Sequence, residues 1–161
     1  MVTSYNMSFV EIEYIKKFGE AMNIFKKKSD NNLEISQIAA AKEYYHIAIS
    51  RQYYSLFQLM IYVIDSFFKS EYPNKVSGKS SHDIRLCTLR EIAYKNKEKY
   101  GIDEKEFVHI RDLYIMKELR VDSDYKVDQI KEKEYDLSTK YYSMVSNVLK
   151  RIINKEANNE S

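Results

Sequence analysis

Apolar residues return every three to four positions through most of the chain, and clusters of short polar residues interrupt them, a spacing that predicts helices rather than strands. A first helix is predicted over about 8–28, from Phe9, Ile12, Ile15, Met22 and Phe25, with Ser8 and Glu11 as its capping pair. The segment SDNNLE, 29–34, is expected to break it, because its side chains compete for backbone hydrogen bonds. A long second helix over 35–69 is apolar around most of its circumference, which marks it as central. Pro73, Asn74 and Gly78 then signal a loop. Helices follow over about 81–99, with Ser80 and Asp83 at its start, and from Asp103 with Glu106 to about 120. RVDSDYKVD, 120–128, lacks helical periodicity and is expected to be a connection, after which a last helix runs over about 130–153 and a polar tail frays over 154–161. No stretch alternates as a strand would. The expectation is an all-α antiparallel bundle of four to five helices, in one domain over 1–161.

Composition agrees. Three glycines and one proline in 161 residues are few for a sheet protein, and 44% hydrophobic with 31% charged residues is ordinary for a globular chain. The 26 basic and 24 acidic side chains leave +2, too little for a field that would by itself imply nucleic acid. Cys87 is the single cysteine, so neither an internal disulfide nor a cysteine zinc cluster is expected. The N-terminus shows no secretory pattern, and Leu56 to Phe68 falls short of a membrane span, so cytoplasm without membrane association is the expectation.

Metal and phosphate-loop chemistry find little support. The glycines stand singly at 19, 78 and 101, and His46, His82 and His109 lack metallopeptidase spacing. Asp122, Asp124 and Asp128 lack the glycine and terminal glutamate of a calcium loop and read as a solvated acidic turn. No metal and no cofactor is therefore expected. Lys95, Lys97 and Lys99 suit a helix C-terminus, while Lys69, Lys75, Lys79 and Arg85 would form a positive area if the loop folds back.

Arg51 is the anomaly. It sits in AISRQYYSLF, within the most apolar part of the chain, where a guanidinium needs acceptors. One account pairs it with Asp124 and pins the connection to the central helix. A second brings Arg51, Arg120 and Tyr54 into one cleft that receives a phosphate or nucleotide, work that suits bidentate guanidinium. A third leaves Arg51 on the surface.

Ser50, Arg51, Tyr53, Tyr54 and Phe57, then Ser81 and His82, then Leu119, Arg120, Asp124 and Tyr125 follow in an order that resembles the HEPN superfamily. The likeness is to small stand-alone members carrying Ser-Arg-x-Tyr-Tyr-x-x-Phe, Ser-His and Leu-Arg-x-x-x-Asp-Tyr, and it covers about 40–153. It implies a HEPN-like helical fold, a homodimer and a cleft near the pairing surface. It also implies either a nucleotide- or partner-binding regulatory module or an endoribonuclease that uses no metal. The active-site pattern of Arg, four to six residues, then His does not occur here, since no arginine stands at that distance before His46, His82 or His109.

Two functions follow as expectations. The first is a regulatory binding module, in a defence, toxin–antitoxin or mobile-element system, with ligand contacts from Arg51, Tyr54, Arg120, Asp124 and Tyr125. Its partners would be a second copy, a protein encoded in the same operon, and RNA or a nucleotide. The second is a metal-independent endoribonuclease of non-standard design, with His82 as acid or base and Arg51 and Arg120 steadying phosphoryl charge. On the structural alternative, His82 only bonds a backbone group in the first turn of its helix.

Overall fold

A computed structural model describes residues 9–69, 71, 78 and 80–159. Among the described residues lie seven α-helices and no strand: α1 Phe9–Ala41, α2 Tyr45–Phe67, α3 Ser81–Lys95, α4 Lys97–Tyr100, α5 Glu104–Arg111, α6 Tyr114–Tyr125 and α7 Glu132–Asn159. A 3-10 turn at Val127–Gln129 precedes α7. The fold is all-α as expected, but the expected four to five helices are corrected to seven. The Ser8 cap, the Pro73–Asn74 turn, and Lys75 and Lys79 lie outside the described residues.

The first boundary moves because tertiary packing overrides turn propensity. SDNNLE is helical, and α1 continues to Ala41. The Ser29 and Ser55 hydroxyls meet at 3.1 Å, and Ser36 Oγ donates to the Ala48 carbonyl at 2.9 Å. Ser29 and Ser36 are buried, and their small side chains let two helices approach closely. Later positions of α1 meet earlier positions of α2, so the pair is antiparallel. The helix ends instead in a Schellman motif: Tyr44 N–H donates to Ala39 O at 2.9 Å and Glu43 N–H to Ala40 O at 2.9 Å. Glu43 carries the left-handed conformation, φ 61°, where glycine is usual.

Two further expected helices divide. α3 stops at Asn96, whose side chain caps Ile92 O at 3.0 Å, and the short α4 turns Tyr100 inward to 1% exposure. α5 and α6 meet at Asp112–Leu113, where Leu113 N–H reaches Ile110 O and Ile115 N–H reaches Asp112 O. Ile110, Leu113 and Met116 are all buried, a three-residue period that matches a tightened turn better than 3.6 residues per turn. α6 also absorbs the expected connection as far as Tyr125, with Lys126 paired to Asp122 at its end.

α7 runs on to Asn159, so 154–159 are helical where a frayed tail was expected, while three other boundaries are where the residues predict them. Ser80 Oγ accepts from Asp83 N–H, Asp103 and Glu106 form a reciprocal capping box, and Gly101 ends α4 at φ 60°. α2 is central: Ile49, Tyr53, Leu56, Met60, Val63 and Ile64 are at most 1% exposed. Tyr53, Leu56, Met60, Val63 and Ile64 share one core with Leu86, Leu89 and Ile92 of α3, Ile110, Leu113 and Met116, and Val145, Val148, Leu149 and Ile152 of α7. Gln52 bridges α2 and α7, donating to Thr139 Oγ1 at 2.8 Å and accepting from Ser138 Oγ at 2.6 Å. One turn on, Ser55 Oγ meets the Tyr142 hydroxyl at 3.1 Å. Contacts therefore advance together along α2 and α7, and those two helices run parallel rather than antiparallel. No helix among the described residues is long and apolar enough to cross a membrane.

Candidate functional site

The groove between α2 and α6, closed at one end by the first turn of α3, gathers most of the residues singled out in the sequence. On α6, Lys117, Arg120 and Asp124 stand at i, i+3 and i+7, the spacing of one helical face. Facing them on α2 are Ser50 and Arg51 and, one turn on, Tyr54. α6 passes α2 in the opposite sense, with Tyr54 beside Arg120 and Arg51 toward Asp124.

Arg120 is the hub. Its Nη2 donates to the Tyr54 hydroxyl at 2.6 Å and to the Asp124 carboxylate at 3.0 Å, and the guanidinium carbon lies 5.2 Å from the Tyr54 ring centre. Its Nε is buried and donates to no acceptor among the described residues. A buried unmade donor costs about 1–3 kcal/mol.

At the α3 end, Lys117 Nζ donates to Asp83 at 2.6 Å, and Asp83 also accepts from Ser80 Oγ at 2.6 Å. The Lys117 bond, with that from Ser80, holds the Asp83 carboxyl below its ordinary value. His82 lies flat against Phe57, ring centres 3.9 Å apart and planes 4° apart, and its Nδ1 is 2.8 Å from the Tyr53 hydroxyl. Burial lowers the His82 pKa, and the charges of Lys117 and Arg120 lower it further. The imidazole is therefore neutral at pH 7. Burial raises the Tyr53 phenol, which stays protonated. Which of the Tyr53 hydroxyl and Nδ1 donates follows from the imidazole tautomer. Two cations and a neutral imidazole near the Tyr54 phenol suit a phosphate, or proton transfer beside one.

Arg51 is exposed, and its Nη1 donates to Asn32 Oδ1 on α1 at 3.3 Å. The direct Arg51–Asp124 pair is thus replaced: Asn32 takes Arg51, and Arg120 takes Asp124. Arg51 and Asp124 nevertheless line one hollow of about 370 Å³, together with His46, Ser50 and Ser123. Arg51 and Arg120 do not touch, and Asp124 is the residue common to both surroundings. Tyr125 is 81% exposed at the end of α6, outside these contacts. Asp122 and Asp128 do not join Asp124, and no three His, Cys, Asp or Glu side chains among the described residues gather as a metal set.

Sequence reasoning missed Lys117, Asp83 and the Tyr53–Phe57 bed of His82 as site members. Lys117 was legible one turn before Arg120 once α6 is taken as helical. Asp83 was visible only as a capping residue. The basic run around Lys97 turned out paired, Lys97 to Glu104 and Lys99 to Glu156. Comparison with protein-family models, with curated proteins and with solved structures yields no match to this chain.

Proposed function

We propose that this chain is a HEPN-like regulatory binding module that recognises a phosphate-bearing ligand, a nucleotide or RNA, in the groove between α2 and α6. The observation that carries the reading is Arg120, held by Tyr54 and Asp124, one turn from Lys117 and near a neutral His82. Support for the family likeness comes from three motifs, far apart in sequence, whose Tyr54, His82 and Arg120 line one groove. A role in a defence, toxin–antitoxin or mobile-element system, a cytoplasmic location and an operon-encoded protein partner belong to the same proposal. Pairing of two copies belongs to it as well, and the exposed Ile24, Ile35 and Ile38 along α1 are the apolar surface it would use.

One observation favours a second reading, metal-independent RNA cleavage. A neutral imidazole beside two cations suits general-base attack by a 2′-hydroxyl, with Arg120 and Lys117 receiving the developing charge.

Two measurements test these readings. Titration with adenosine nucleotides and short RNA, followed by thermal melting, should raise the melting temperature of the native chain and not of Arg120→Ala. No shift with any of these ligands would overturn the binding reading. Labelled single-stranded RNA incubated in EDTA decides the second: intact RNA rejects cleavage, and cleavage lost in His82→Ala supports it.

A further inference from the structure

The hollow at the start of α2 carries one charge of each sign. Arg51 and Asp124 both line it, and its volume is about 370 Å³. That lies in the range of small-molecule sites, about 300–1,000 Å³. Arg51 is exposed, and its one long bond, to the neutral Asn32, leaves most of its N–H donors to solvent. Asp124 gives Oδ2 to Arg120 yet keeps a side chain 33% exposed, and two carboxylate oxygens have room for further donors. Ile47 and Val127, 38% and 44% exposed, add apolar surface to the same hollow. A carboxylate in the wall disfavours a phosphate at this point. The opposite charges side by side suit a neutral, flat group with acceptors on one edge and donors on the next.

Resting on the phosphate-binding role proposed above, we propose that this hollow is a base subsite in which Arg51 and Asp124 select guanine nucleotides. Asp124 stands four residues beyond Arg120, about 6 Å along α6. A phosphate at Arg120 and Lys117 then leaves the ribose to span that gap and the base to enter the hollow, between the apolar surfaces of Ile47 and Val127. Guanine alone of the four bases answers both charges with paired groups. Its O6 and N7 accept a bidentate guanidinium, and its N1–H and N2 amino group donate side by side to a carboxylate. Adenine and uracil offer neither paired edge, and cytosine offers only paired acceptors. The selectivity comes from the ligand's own edges, so it survives in the ratio of affinities for nucleotides that share phosphate and sugar.

The test is calorimetric titration with guanosine, inosine, adenosine and cytidine 5′-monophosphates. The native chain should bind the guanosine compound about tenfold more tightly than the adenosine and cytidine ones, with inosine, which lacks the N2 amino group, between them. Asp124→Asn should bring guanosine and inosine within about twofold, because an amide has one acceptor oxygen for the two donors. Arg51→Ala should bring guanosine and adenosine within about threefold, since the O6 and N7 contact is lost. Equal affinities in the native chain, or a preference for another base, overturn the assignment while Arg120-dependent binding keeps the groove as a phosphate site. A variant that weakens all four compounds by one factor, with their ratios unchanged, overturns base recognition by that residue. Binding of none of them, in the native chain or in Arg120→Ala, overturns the groove itself and this inference with it. Far-UV circular dichroism of each variant confirms that the helices remain.

Discussion

The Tyr53 hydroxyl and His82 Nδ1 lie 2.8 Å apart, joining the most buried tyrosine of α2 to the first turn of α3. Tyr53 is 1% exposed and Phe57 7%, so the imidazole rests on a dry aromatic bed. Burial lowers the His82 pKa from 6.5, and so His82 binds fewer protons in the folded chain than in the unfolded one. The sign follows by linkage: this residue's contribution to stability is full above pH 6.5 and declines as pH falls from there through the lowered folded value. Nuclear magnetic resonance titration should find His82 below 6.5, and Lys117→Ala should raise it by removing a nearby positive charge. A His82 that titrates at or above 6.5 in the native chain would contradict this.

Glu106 and Arg151 form the corresponding device at the other end of the molecule. Arg151 Nη1 and Nη2 grip both carboxylate oxygens at 2.9 and 2.7 Å, and its Nε and Nη2 reach the Tyr100 and Gly101 carbonyls. The Arg151 bond holds the Glu106 carboxyl below its ordinary 4.5. Its stabilisation is therefore present above pH 4.5 and is lost as pH falls through the lower folded value. Arg151→Ala should cost about 1–3 kcal/mol in urea unfolding at pH 7, since four bonds are lost and the Glu106 carboxylate keeps only its capping bond from Asp103 N–H. The difference from the native chain should shrink below pH 4.

Glu43 offers a gain. It occupies the left-handed position of the α1 Schellman motif at φ 61°, where a Cβ is unfavourable. Glu43→Gly should stabilise the chain by about 0.5–1 kcal/mol net of glycine's backbone entropy, read as a higher melting temperature.

Gln52 should behave oppositely. It is 3% exposed and joins Ser138 and Thr139 across α2 and α7. Gln52→Leu keeps the volume and leaves both hydroxyls without their partner, at a cost of about 2–3 kcal/mol in chemical denaturation. Gln52→Leu with Ser138→Ala should recover part of it.

In the groove, Arg120→Ala and Lys117→Ala should each weaken adenosine monophosphate binding by about tenfold or more, as charge-assisted hydrogen bonds to an anion do. His82→Gln should change binding far less, because a neutral ring contributes no charge. A loss with His82→Gln as large as with Arg120→Ala would place the phosphate on the imidazole instead.

The helical class, the central place of α2, and the caps at Ser80–Asp83, Asp103–Glu106 and Gly101 were all determined by the sequence, because each depends on spacing or on side chains within one turn. The motif residues also named most of the groove: Tyr54, His82, Arg120 and Asp124 were legible as candidates. Only the tertiary structure decided the rest. SDNNLE stays helical because Ser29 packs on Ser55, α1 ends at Glu43 without a glycine to announce it, and the α5–α6 break follows the burial of Leu113. It alone gave Asp124 to Arg120 and Arg51 to Asn32, since partner choice depends on distances between helices, which periodicity along a single helix does not contain.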